Sequence, residues 1–231
     1  MHLPNAIYSS LSLFLSLPLL HSSGVSGMAI SPQPNMNTPR DAQDTPPAMP
    51  RITSISYSGD GCPSSTANSV EKTGNGGFGD VGFRLNTFET STSTGTSTTK
   101  ACQIHLQTSS TCSPGWQVGI QTATVKGRLV LDPGAGVDWW LVSFWSERAG
   151  DTSTLQGSIT NTGPSRTDDV VTLSSSSGGD IAWSPCSSST GYLGILNVNF
   201  RVAVDGGYGY FGKAAGGNGV LENWGFVWRR C

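Results

Sequence analysis

The sequence predicts an all-β protein, an antiparallel β-sandwich or jelly roll stapled by disulfides. Three observations point there. Apolar residues recur at every second position in many short segments, the mark of strands with one buried face. No window of helical periodicity exceeds two turns, and 30 glycines among many Ser and Thr residues favour turns and short strands. Five cysteines suit an oxidising destination.

At 231 residues the chain suits one domain plus processing segments, since single β-domains run to ~200–250 residues. Charged residues make up 12%, and the formal net charge is −2 from 13 basic and 15 acidic residues spread without runs. A nucleic-acid binder shows a basic stripe, so no nucleic-acid partner is expected.

Residues 1–27 read as a signal peptide. Ile7–Leu20 is apolar but short and broken by Ser residues and Pro18, whereas a bilayer span needs ~20 residues. The stretch before it carries no Lys or Arg, and cleavage is expected after Gly27. No second apolar stretch has membrane length, so no membrane span is expected after signal removal and the localisation expected is extracellular. Residues 28–50 hold six prolines and no apolar period, the composition of a disordered linker or pro-segment. A single domain over 51–231 follows.

The domain opens with a strand at Ile52, Ile55 and Tyr57, turned by Asp60-Gly61-Cys62-Pro63. A short strand at Ser69–Lys72 and an alternating one at Val81, Phe83 and Leu85 come next. Thr90–Thr99 is low-complexity, expected as a surface loop, with O-glycosylation as the alternative. The central pair follows: Ile104 and Leu106 alternate with Gln103, His105 and Gln107, a turn passes through Ser113-Pro114-Gly115, and a longer strand starts at Trp116. There the apolar parity changes, from even (Trp116, Val118, Ile120) to odd (Val125, Leu129, Leu131). A bulge within Gln121–Thr124 would reconcile the two halves. After the Asp132–Gly136 turn, Trp139–Trp145 is apolar on both parities. Further strands are expected at Leu155–Ile159, Val170–Leu173, Ile181–Trp183, Leu196–Val204 and Trp224–Trp228. In Leu196–Val204, Leu196, Val198, Phe200, Val202 and Val204 face inward and Asn197, Asn199 and Arg201 outward.

Several landmarks sit together in a known order: Gly61-Cys62-Pro63, Lys100–Leu106, Pro114-Gly115-Trp116, Val125-Lys126-Gly127-Arg128, Trp183-Ser184-Pro185-Cys186, Leu196–Asn199 and the closing Trp228-Arg229-Arg230-Cys231. Together they resemble the secreted fungal and bacterial family catalogued as domain of unknown function 4360, over roughly residues 51–231. The resemblance implies a small secreted domain with paired cysteines and no assigned activity. Cys112 departs from that pattern as an extra cysteine and is expected to be unpaired. Four cysteines then allow three pairings. Counting alternating strand directions puts Cys62 and Cys102 at one end. Antiparallel pairing of Leu196–Val204 with Trp224–Trp228 would bring Cys186 to Cys231.

Tests for chemistry return little. The one histidine of the domain, His105, lies on the polar parity of its strand, and no G-x-S-x-G elbow occurs. Thirteen Asp and Glu residues lie in the domain, mostly in turns; Glu147 and Glu222, beside tryptophans, are the least turn-like candidates for a glycosidase pair. The G-x-G-x-x-G matches at Gly77–Gly82 and Gly207–Gly212 lack the following helix a phosphate cradle needs. No catalytic residue, cofactor or metal is assigned. The most suggestive feature is aromatic: Trp139, Trp140 and Trp145 share one strand with Phe144, and one face cannot hide them all. They form a candidate stacking platform for a sugar ring, with Tyr208, Tyr210 and Phe211, in the glycine loop, as its rim. The function expected is a secreted, non-enzymatic extracellular or cell-wall domain with polysaccharide as the candidate ligand. The alternatives are a small glycoside-active jelly-roll enzyme and a secreted effector that binds a protein partner.

Overall fold

The computed structural model describes residues 45–92, 97–214 and 216–231. The expected signal peptide and residues 28–44 lie outside the described residues. In chain order the strands are β1 (Ile52–Ser58), β2 (Val70–Thr73), β3 (Val81–Leu85), β4 (Glu89–Thr92), β5 (Thr98–Thr108) and β6 (Trp116–Leu131). Then come β7 (Gly136–Trp145), β8 (Thr152–Thr160), β9 (Thr167–Ser176), β10 (Ile195–Asp205), β11 (Gly209–Gly212) and β12 (Val220–Arg230).

They form the expected antiparallel sandwich. One sheet has the order β1-β5-β10-β7-β8; the other runs β2-β3-β12-β6-β11-β4, with β9 also paired to β6. The core lies between them, because alternate residues of each strand point to it. Leu196, Val198, Phe200, Val202 and Val204 of β10 are all buried against side chains such as Phe88, whose ring lies 5.0 Å from Phe200. Fully burying one such side chain contributes ~1.5–3 kcal/mol. From the other sheet Phe83 and Trp224 pack at 4.7 Å.

β6 carries the bulge that its parity change demands. Ile120 pairs with Phe226 and Thr122 with Gly225, leaving Gln121 as the extra, exposed residue. Trp116, Val118 and Ile120 before it and Ala123, Val125, Leu129 and Leu131 after it all reach the core.

Four expectations change. Ile181–Trp183 forms no strand, since Ser184 and Pro185 interrupt it. Instead the segment covers the start of β6 through bonds from Ser184 N–H to Val118 O (2.9 Å) and from Ser187 N–H to Trp116 O (2.8 Å). The Thr-rich stretch is largely strand: Thr90 and Thr92 are buried in β4, and Thr98–Thr99 open β5, while 93–96 lie outside the described residues. Gly209–Gly212 is strand β11 rather than loop; a Cβ on Gly209 would collide with Val204, so glycine permits the close approach. Last, residues 45–50, within the expected linker, pack against the domain. Pro46 and Pro50 are buried, Ala48 N–H donates to Ser113 Oγ (3.0 Å), and Ser113 N–H donates back to Ala48 O (3.1 Å). Backbone pairing, which composition does not register, holds this segment.

The disulfides are Cys62–Cys102 and Cys186–Cys231, with Cα atoms 5.2 and 6.0 Å apart. The second pair is as expected but for a different reason. β10 and β12 lie in different sheets. Cys186 instead runs beside the start of β6, where Cys231 N–H donates to Gly115 O (3.0 Å) and Gly115 N–H to Ser187 O (3.0 Å). Cys112 is unpaired and buried, and burial pushes its thiol pKa up.

Candidate functional site

Strict alternation divides the aromatic strand β7. Trp139, Leu141 and Trp145 point into the core; Asp138, Trp140, Val142 and Phe144 lie partly exposed on the outer face. The three-tryptophan platform is therefore corrected to one tryptophan. Trp145 donates its indole N–H to Ala182 O at 3.2 Å, and Trp139 lies against Gly157, where a Cβ would come within 2.8 Å of its Nε1. Phe144 is the second aromatic ring on the open face. The proposed rim also falls elsewhere. Tyr208 precedes and Tyr210 and Phe211 lie in β11, in the other sheet; Phe211 is buried, and Tyr208 and Tyr210 lie under Arg166 and Arg128.

Register sets the neighbours of these rings. Trp140 stands between Arg201 on β10 and Gln156 on β8; Val142 lies between Asn199 and Thr154; Phe144 lies between Asn197 and Thr152. On β5, Gln103 faces Asn199 and His105 faces Asn197. Cross-strand neighbours on one face lie about 4.5–5.5 Å apart between Cβ atoms, so rings and amides interleave. A cavity of about 480 Å³ is lined by Trp140, Val142, Phe144, Thr154, Asn199 and Arg201. Trp140 also borders a depression of about 260 Å³ with Asp138, Gln156 and Ser158, and Thr154 borders one of about 640 Å³ with Arg148, Trp183 and Arg229. The first two make a strip along β7 and β8, and the third opens beside it at the β8 edge. From Asp138 to Phe144 it is ~20 Å long at ~3.3 Å per residue.

Asn197, though on this outer face, is nearly buried. Its Nδ2 donates to Ser146 Oγ at 2.8 Å and its Oδ1 bonds His105 Nδ1. That contact assigns the imidazole proton to Nδ1. Ser56 stands opposite His105 in the ladder, yet no hydrogen bond joins them among the described residues, so the triad geometry is missing.

The two carboxylates singled out from sequence are not brought together. Glu147 sits at an exposed corner, accepting from Tyr192 OH (2.9 Å) and Ile195 N–H (3.1 Å). Glu222 is fully buried on the inner face of β12; desolvation raises its pKa to about 7, partly countered by the bond from Trp224 Nε1. Among the described residues no three His, Cys, Asp or Glu side chains gather as a metal would need. The glycine motifs lead into strands β3 and β11, not into phosphate-binding helices.

Arg201, Asn199, Gln156 and Thr154 are site residues that sequence reasoning did not assign to the platform. The alternation of β10 already placed Asn199 and Arg201 outward. That they border Trp140 depends on β10 lying beside β7, a pairing across more than fifty residues of chain.

None of the curated proteins matches the chain. Solved structures give distant likenesses to carbohydrate-binding β-sandwiches. One is TmCBM61 in complex with beta-1,4-galactotriose, at 11% identity and a TM-score of 0.19, covering 78% of this chain and 91% of that one. Another comes from the carbohydrate-binding modules of the beta-sandwich superfamily, at 10% identity and a TM-score of 0.25, covering 82% and 60%. The sequence itself is more specific: residues 48–231 match the family described as Domain of unknown function (DUF4360), and the chain belongs to that family.

Proposed function

We propose that this domain acts outside the cell as a carbohydrate-binding module, through the outer face of the β1-β5-β10-β7-β8 sheet. The observation that carries the proposal is the outward pair Trp140 and Phe144, set among Asn199, Gln156, Thr154 and Arg201 over a shallow, open strip. A pyranose presents C–H groups on its ring faces and hydroxyls around its edge. An aromatic ring offers a large, rigid apolar surface for the former. Planar amides both donate and accept, as hydroxyls require. An open strip admits a chain at any point along it, which suits a polymer better than an end group. Two disulfides, each closing a loop of forty residues or more, support an oxidising destination.

The test is a glycan array with the folded domain and with Trp140→Ala. Binding by the native domain to plant- or wall-type polysaccharides, lost in the variant, is the expected result. A silent array, or binding that Trp140→Ala leaves intact, would overturn the proposal.

A further inference from the structure

Resting on that carbohydrate-binding proposal, we infer that the ligand is an acidic glycan, a chain bearing uronate carboxylates, and that Arg201 receives the carboxylate. Most arginines of the domain already have a partner for the guanidinium. Arg84, Arg128, Arg148 and Arg166 each pair with a carboxylate. Arg229 and Arg230 lie over the rings of Trp183 and Trp116, at 4.0 and 4.3 Å. Apart from Arg51, which stands ahead of β1 and borders neither depression around Trp140, Arg201 is the arginine among the described residues that does neither. Among the described residues its guanidinium has no ion pair, side-chain hydrogen bond or ring contact, although Trp140 is its neighbour in the ladder.

Its position makes that matter. Arg201 is exposed at the middle strand of the open face and lines the 480 Å³ cavity with two aromatic rings, in which it is the one ionisable residue. Two carboxylates stand nearby: Asp138, one ladder row along β7 from Trp140, lines the neighbouring depression instead, and Asp60, which accepts from the N–H of Arg201's partner Ala101, is paired with Lys100. A neutral sugar would leave a fixed positive charge facing its hydroxyls. A uronate supplies the matching group: guanidinium and carboxylate are planar forks that meet through two parallel N–H···O bonds. With one sugar ring on Trp140, a C6 carboxylate reaches Arg201, its neighbour across the same ladder row. Asp138, one row along β7 from Trp140, would repel a carboxylate placed over that row, so charge favours a single orientation of the chain.

The experiment pairs each acidic polymer with its own neutral form: polygalacturonate, alginate and polyglucuronate against the same polymers reduced at C6. Affinities are measured by calorimetry for the native domain, Arg201→Gln and Trp140→Ala, with thermal melts confirming that the variants fold. At least one acidic polymer is expected to bind five- to tenfold more tightly than its reduced form, with Arg201→Gln erasing that difference and Trp140→Ala removing binding to both forms. Equal binding of acidic and reduced polymers, still lost in Trp140→Ala, would overturn the acidic ligand while leaving the carbohydrate face intact. No binding to either form of any polymer would overturn the acidic ligand, and the glycan array then decides the carbohydrate face itself.

Discussion

Glu222 accepts the indole N–H of Trp224 at 2.6 Å through Oε1, while its Oε2, equally buried, has no hydrogen-bond partner among the described residues. The two side chains lie two residues apart on the inner face of β12, and Val125 and Phe83 flank Glu222 across the ladder. An ionised carboxylate there would lack both water and a counter-charge.

The consequence is a pH dependence of stability. The pKa of Glu222 rises from 4.5 to about 7 on folding, so between those values the native state holds a proton that the unfolded state has lost. Stability therefore falls as pH rises from about 4.5 to 7, by an amount on the order of 3 kcal/mol, and then levels. Asp132 and Asp168, held low by hydrogen bonds from Arg166 and Arg128, act oppositely, their stabilisation being lost as pH falls below 3.8. Denaturant melts should show maximum stability near pH 4–5. Glu222→Gln should flatten the decline toward pH 7; a variant that keeps the native slope would refute the assignment.

Cys112 should be silent in the folded protein. It is 3% exposed and its thiol pKa is raised by desolvation, so both access and thiolate fraction are reduced. Maleimide mass labelling at pH 7.5 should add nothing to the native domain and one adduct, on Cys112, after unfolding without reductant. An adduct on Cys186 or Cys231 would contradict the second disulfide.

Gln121 makes the most economical test of the fold. Deleting it removes the extra residue between the Ile120–Phe226 and Thr122–Gly225 pairs and forces one half of β6 to turn its apolar side chains outward. The deletion variant should fail to fold, as read by circular dichroism and proteolysis. Gln121→Ala keeps the residue count and should change stability by no more than about 0.5 kcal/mol.

What the sequence made legible follows the range over which each signal acts. The bulge could be located within four residues because strand parity is local, and the outward set of β10 could be read from its own alternation. Pairing of strands is not local. β10 and β12 do not pair, and what joins Cys186 to Cys231 is irregular chain laid along β6, which leaves no periodic trace. For the same reason Trp140 could be put in a strand with Trp139 and Trp145, yet its isolation on the open face required knowing which inner face was covered. Arg201 needed the β10–β7 register as well.

The tryptophans of β7 supply the sharpest separation of structure from function. Trp139 is 2% exposed, wedged against Gly157, and its loss leaves a void between tightly packed sheets. Trp139→Ala should cost ~3–5 kcal/mol, with any loss of binding explained by unfolding. Trp140 is the adjacent residue, but its ring lies over the strip beside Arg201 and Gln156, so its removal opens no cavity in the core. Trp140→Ala should cost about 1 kcal/mol or less, chiefly from lost cross-strand contacts. Its melting curve should nearly overlay the native one while glycan binding disappears. Paired melts and binding isotherms on the two variants decide the matter: if Trp140→Ala is the more destabilised, the outward assignment of β7 is wrong, and with it the open face that the ligand is proposed to occupy.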